Sequence, residues 1–142
     1  MSLVDTIRSM SFYMICRIKE DIVLLHSRGR VINCSFEFNR LEYNDANLTG
    51  SGEIAVSYAS NNTVYSNIIK PNKKNVILYT DPAGSLKNVF DYQVYYPNGS
   101  KATGNSLIFN WGDQEYDGLS VFQKATKQEM HATVITGKGR HE

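Results

Sequence analysis

Short runs with a two-residue period, each ended by a turn signal, constrain this 142-residue chain more than any other feature. Over residues 30–38, alternation places Ile32, Cys34, Phe36 and Phe38 on one face of a predicted strand. Polar side chains occupy the opposite face. The pattern is typical of a half-buried strand and predicts that all four apolar side chains point into a core.

The same alternation continues in the second half of the chain, where aromatic residues are frequent. It places Phe90 and Tyr92 on one face of a strand, and Phe109 on the inner face of a later one. We therefore expect all three rings in the core. Tyr95 and Tyr96 are adjacent, so they point to opposite faces and one of them lies outside the core.

Turn-forming clusters separate the strands, and Asn98-Gly99 is the strongest hairpin signal among them. Helical spacing is confined to one short segment, residues 2–10, and residues 119–122 are predicted to be a strand. We find no internal repeat. Many short strands with regular turns predict an all-β fold, a single antiparallel β-sandwich over residues 1–142 with at most one short N-terminal helix.

Composition excludes several classes of protein. The net charge of +1 gives no electrostatic footprint for nucleic acid, and no apolar run is long enough for a membrane-spanning helix. The N-terminus lacks the pattern of a signal peptide. Cys16 and Cys34 are expected to be buried free thiols, and the three histidines have no metal-ligand spacing. We expect neither a metal nor another cofactor.

No catalytic motif accompanies the strands, and the sequence therefore predicts a protein that is not an enzyme. Asp113, Glu115 and Asp117 alternate in one loop, an arrangement compatible with a carboxylate pair or a weak calcium loop but more typical of a solvated acidic turn. Trp111 and Tyr116 bracket that loop. Tyr and Trp combine an apolar ring with a polar tip, which suits a membrane–water interface.

Residues 68–77 form a strand–Pro–loop–strand pattern, Ile-Ile-Lys-Pro-Asn-Lys-Lys-Asn-Val-Ile, that resembles an element of the aegerolysins. The chain is also similar to sea-anemone actinoporins in the order of this element and the aromatic loop. The later aegerolysin elements, a strand, a hairpin turn, a strand ending in Trp-Gly and a closing strand, have counterparts at residues 88–92, 97–100, 107–112 and 131–139.

The resemblance implies a β-sandwich toxin component that binds membrane lipid or a cell-surface receptor. It implies action outside the producing cell on target membranes, insecticidal activity and a larger pore-forming partner protein. Two alternatives remain open: a carbohydrate-binding module, and a structural or viral subunit whose aromatics form a homo-oligomer interface. The candidate membrane-binding residues are Trp111, Tyr116, Tyr95, Tyr96, Tyr79, Lys73, Lys74 and Asp113.

Overall fold

The strands in the described part of the chain form three sheets, called A, B and C below. The structure is a computed structural model. It describes residues 13–19, 30–44, 48, 50, 52–56, 59–80 and 87–137.

Sheet A contains β1 (Tyr13–Lys19), β2 (Arg30–Glu37), β5 (Ala59–Ser60), β6 (Thr63–Tyr65) and β9 (Val89–Asp91). Sheet B contains β3 (Arg40–Glu42), β7 (Ile68–Lys70), β10 (Val94–Tyr95) and β13 (Thr133–Val134). Sheet C contains β4 (Ile54–Val56), β8 (Val76–Thr80), β11 (Ile108–Trp111) and β12 (Gln114–Asp117). A 3₁₀ helix spans Gly104–Ser106, and helix α1 spans Leu119–Thr126.

The chain visits sheets A, B and C in that order three times, and each passage is one coil of a solenoid. Strands of successive coils pair in parallel, because the chain completes a full circuit before it returns to the same sheet. On sheets A and B, equivalent residues lie 28 positions apart between the first two coils and 26 apart between the next two, as for Asn39, Asn67 and Gln93 at the corner between these sheets. The architecture is a parallel β-helix with three faces.

The prediction of a mainly-β fold is confirmed, but the antiparallel sandwich is not, because the sheets are largely parallel. Antiparallel pairs occur only at the two ends of the described stack, between β1 and β2 and between β11 and β12. The statement that the chain has no internal repeat is also wrong. Each coil is one repeat, although few side-chain types are shared between coils.

Buried amide side chains join the coils at the corners of the solenoid. Asn67 Oδ1 accepts hydrogen bonds from the backbone N and the Nδ2 of Asn39, at 2.9 and 3.0 Å. The backbone N of Asn67 donates to Gln93 Oε1 at 2.7 Å. Asn62 and Asn88 form a second ladder before sheet A. Each ladder satisfies backbone groups that the turns leave without a strand partner.

The corner between sheets A and B changes the direction of the chain through a left-handed residue. Phe38, Ser66 and Tyr92 have φ of 57°, 55° and 61°, and each precedes a ladder amide. This conformation ends the two-residue alternation. Phe38 is 73% exposed and Tyr92 50% exposed, so the prediction that both rings lie in the core is wrong.

The core consists of inward-facing side chains stacked from coil to coil. Phe36, Val64 and Phe90 stack behind sheet A, as pairing partners in register. The predicted burial of Phe90 and Phe109 is confirmed. The equivalent stacks are Leu41, Ile69 and Tyr95 behind sheet B, and Ile54, Leu78 and Phe109 behind sheet C.

Helix α1 covers the C-terminal end of this core, where a strand was predicted. Leu119 and Phe122 lie on one helix face and are both buried. Gly118 precedes the helix at φ 101°, a conformation that L side chains rarely adopt, so the chain leaves β12 through a glycine. The sequence prediction failed here because one apolar pair is too short a pattern to distinguish a helix from a strand.

The structure also decides two smaller expectations, one on a hairpin and one on a cysteine. Asn98-Gly99 does not form a hairpin, because β10 and β11 on either side belong to different sheets. Cys34 is buried and disulfide-bonded, so it is not the expected free thiol. The predicted helix over residues 2–10 and Cys16 fall outside the residues whose side chains are described. Within the described ranges, no helix is long and apolar enough to cross a membrane.

Candidate functional site

Aromatic side chains line up along the corner between sheets A and B; Phe38, Tyr92 and His131 are exposed, and Tyr65 is half-buried. Glu37, Tyr65 and Asp91 are partners in register on β2, β6 and β9 and face outward. Phe38 and Tyr92 follow the first and last of them at the corner. His131 lies two residues before Thr133, the partner of Val94, which puts it beside Tyr92. We call Phe38, Tyr65, Tyr92 and His131 the corner stripe.

Three of these rings are in direct contact. Tyr92 stacks on His131 with 4.7 Å between ring centroids and 8° between planes. Tyr65 meets Tyr92 edge-on, with centroids 5.8 Å apart. Phe38 lies two coils before Tyr92, and the small side chain of Ser66 occupies the corner position between them. The stripe is therefore an aromatic ridge of three touching rings, with Phe38 separated from Tyr92 by a notch at Ser66.

Asp91 fixes the position of His131. Its Oδ1 accepts a hydrogen bond from the backbone N of His131 at 2.7 Å, and its Oδ2 lies 2.7 Å from His131 Nδ1. Burial acts to raise the pKa of Asp91, but hydrogen bonds from His131 and Tyr92 outweigh it, so the pKa lies below its usual value. Asp91 is therefore ionised at neutral pH, and the Nδ1 contact orients the imidazole with Nε2 away from the carboxylate.

Polar groups flank the rings on sheet A. Glu37 Oε1 accepts a hydrogen bond from Ser35 Oγ. Ser35 Oγ also lies 3.2 Å from Thr63 Oγ1 in the next coil. Tyr65 thus lies between two carboxylates, Glu37 and Asp91, each one coil away, or about 4.8 Å along the sheet.

Cations next to the stripe are paired on sheet B. Glu42 Oε1 lies 2.6 Å from Arg40 Nε and 3.0 Å from Lys70 Nζ. Burial raises the pKa of Glu42, but the bonds to these two cations outweigh it and leave the pKa below its usual value. Lys70 Nζ also lies 5.3 Å from the centre of the Tyr96 ring.

A buried carboxyl, Glu129, lies beneath the stripe and is 1% exposed. Burial raises its pKa to about 8, the charge of Asp91 adds to the rise, and hydrogen bonds with Tyr95 and Gln93 oppose it. Glu129 is therefore mostly protonated at neutral pH. Its backbone N donates to Phe90 O at 2.7 Å and ties this segment to β9.

The candidate membrane-binding residues do not gather on one surface. Tyr95 is buried in the core, and Tyr96 points outward, which confirms that one of the pair lies outside the core. Trp111 and Tyr116 are partly buried against Phe122, with ring centroids 5.9 and 5.7 Å apart.

Four of these candidates are exposed, but they lie on other parts of the molecule. Tyr79 projects from β8 on sheet C, in register with Ala55 and Asn110. Lys73 and Lys74 belong to the loop between β7 and β8, and Asp113 belongs to the tight turn between β11 and β12.

The corner stripe was missed in the sequence, although a signal for it is present. Three short segments share an outward residue, a corner residue and an amide: Glu37-Phe38-Asn39, Tyr65-Ser66-Asn67 and Asp91-Tyr92-Gln93. Each is followed by a two-residue alternation that enters sheet B. Their spacing of 28 and 26 residues identifies the coil length.

Comparison with known proteins found one similar sequence of unstated function. The uncharacterized protein YwoF of Bacillus subtilis (strain 168) is 26% identical to this chain over 106 residues, which cover 74% of this chain. The chain spans about a fifth of the length of that relative, 22%. No family model and no solved structure matches. The aegerolysin resemblance gains no support from these comparisons and stays a prediction.

Proposed function

We propose that the protein is a carbohydrate-binding module that holds a glycan chain along the corner stripe. The observation that supports this function is the row of aromatic rings on successive coils, exposed at Phe38 and Tyr92 and half-buried at Tyr65, with carboxylates and hydroxyls beside them. Solenoids present extended binding surfaces of this kind, because the same position recurs in every coil.

The chemistry of the stripe suits a sugar polymer. A pyranose ring presents C–H groups on its faces, which pack against aromatic rings, and hydroxyls at its rim, which donate hydrogen bonds to carboxylates. Phe38 and Tyr92 supply exposed apolar surface, and Glu37 supplies an acceptor. The ridge lies parallel to the solenoid axis, so a linear oligosaccharide matches it better than a single sugar.

A glycan array followed by calorimetric titration tests the proposal. Phe38→Asn and Tyr92→Asn each remove a ring while keeping a residue that tolerates positive φ. We expect each to weaken glycan binding about tenfold. Tyr79→Asn is the matched control, since Tyr79 is a comparably exposed tyrosine, at 42%, on sheet C. Equal affinity of wild type and both corner variants contradicts the proposal.

The same protein samples separate the alternatives. Co-sedimentation with liposomes tests the membrane function that the resemblance implies. Binding to vesicles that is lost in Trp111→Ala with Tyr116→Ala, while glycans fail to bind, favours the membrane function. A stable oligomer in sizing chromatography that dissociates on Phe38→Asn favours the structural-subunit alternative.

A further inference from the structure

Two carboxylates, Glu37 and Asp91, lie beside the rings of the corner stripe. Glu37 and Asp91 are one coil on either side of Tyr65, so a chain lying along the ridge passes both. The neighbouring cations Arg40 and Lys70 are paired with Glu42 on sheet B. The outward row of sheet A is therefore negative beside the rings.

The two carboxylates differ in their availability. Both oxygens of Asp91 are engaged by His131, and Oδ1 also accepts a bond from the backbone N of Tyr92 at 2.8 Å. The Asp91 side chain is only 14% exposed. Glu37 is half-buried, and the one hydrogen bond that its carboxylate makes within the described part of the chain comes from Ser35. Glu37 is thus the carboxylate that is placed to accept from a ligand.

We propose that the corner stripe selects glycans that carry protonated amino groups, and that Glu37 pairs with the ammonium group. This inference rests on the proposed carbohydrate-binding function. The ring contacts with Phe38 and Tyr92 are common to all pyranoses, so they provide affinity without discriminating by charge. A polyuronate places its own carboxylates beside Glu37 and Asp91 and is repelled. An N-acetylated chain keeps the ring contacts but has no charge for Glu37 to neutralise.

The test compares three oligosaccharides of equal length: oligomers of glucosamine, of N-acetylglucosamine and of galacturonate. Each is titrated by calorimetry into wild type, Glu37→Gln and Glu115→Gln at low salt and mildly acidic pH. Glu115 is an exposed glutamate on sheet C, so its variant changes the net charge equally at a distant position. We expect the glucosamine oligomer to bind tightest and the galacturonate oligomer weakest.

Glu37→Gln is expected to weaken glucosamine binding about three- to fivefold, which is the range for an exposed ion pair. Its affinity for the N-acetylglucosamine oligomer stays at the wild-type value, and Glu115→Gln behaves as wild type with all three. Equal losses for the amine and the acetylated oligomers, equal losses in both variants, or preferential galacturonate binding overturns the inference and leaves the carbohydrate function intact. Failure of every oligosaccharide to bind instead overturns the carbohydrate function, and the inference with it.

Discussion

Two aromatic clusters of this protein have similar composition and opposite roles. The first, which we call the cap cluster, consists of Phe109, Trp111, Tyr116 and Phe122. Phe122 stacks on Phe109 at 4.4 Å and closes the C-terminal end of the core. The corner stripe holds comparable rings, but they lie on the outside of the solenoid, where Phe38 and Tyr92 are exposed.

The difference lies in the backbone. Phe109 and Trp111 lie at inward positions of a regular strand, in register with Leu78 and Thr80 of the coil before. Phe38 and Tyr92 have left-handed φ at a corner, where the side chain leaves the strand pattern. Aromatic content alone therefore does not locate an exposed surface in a solenoid. The position of each ring within its coil decides whether it packs in the core or faces the solvent.

The largest expected effect on the free energy of unfolding concerns Glu129, which lies between the core and the stripe. Its folded-state pKa is about 8, above the ordinary 4.5. Its contribution to the free energy of unfolding is therefore full below about pH 4.5 and is lost as pH rises through about 8. In Glu129→Gln this loss is absent. The free energy of unfolding of the variant, relative to wild type, therefore increases by on the order of 5 kcal/mol between acid and alkaline pH.

Urea denaturation at several pH values measures this difference. Glu115→Gln, at an exposed position, serves as the control and is expected to track wild type. A difference between Glu129→Gln and wild type that stays constant with pH contradicts the assignment of a raised pKa to this carboxyl.

A second prediction concerns the cap cluster. Phe122→Ala removes the ring that packs against Phe109, Trp111 and Tyr116, and it leaves a cavity. We expect a loss of about 3–5 kcal/mol in the free energy of unfolding. Tyr92→Asn in the corner stripe is expected to cost less than about 1 kcal/mol. Similar losses for the two variants in chemical denaturation would remove the distinction between packing and surface rings.

The amide ladder beneath the stripe gives a third prediction. Asn67→Ala removes the side-chain bonds to Asn39 and Gln93, although its backbone N still donates to Gln93, and leaves buried polar groups unpaired. We expect a loss of about 2–4 kcal/mol. Asn105→Ala, at an exposed position of the 3₁₀ helix, is the control. Thermal unfolding of the two variants compares them, and equal melting temperatures would show that the ladder adds no stability.

The smallest expected effect on stability concerns the contact between Asp91 and His131. The pKa of Asp91 is lowered, so its contribution to stability is present above its ordinary value of 3.8 and is lost as pH falls through the folded-state pKa. Asp91→Asn is expected to lose less than about 1 kcal/mol at neutral pH, because His131 is exposed. The difference from wild type shrinks in acid. An unchanged difference at low pH in denaturation curves argues against the pair.

Local pattern predicted many parts of this fold correctly. Alternation identified the strand character of the chain, the burial of Phe90 and Phe109, and the opposite orientations of Tyr95 and Tyr96. These features depend on side chains a few residues apart. The corner stripe was not predicted: Trp111 and Tyr116 were selected for being aromatic near a loop, and their partial burial depends on a helix that was not predicted.

Local sequence pattern is sufficient to show that the chain forms short strands, where most of them lie and which of their faces are apolar. It does not show that those strands pair in parallel, that Phe38 and Tyr92 leave the core, or that their rings align with Tyr65 and His131. The cause is the range of the interactions. Alternation and turn chemistry act over a few residues, whereas the corner stripe depends on backbone hydrogen bonds and amide ladders between residues 26 and 28 positions apart.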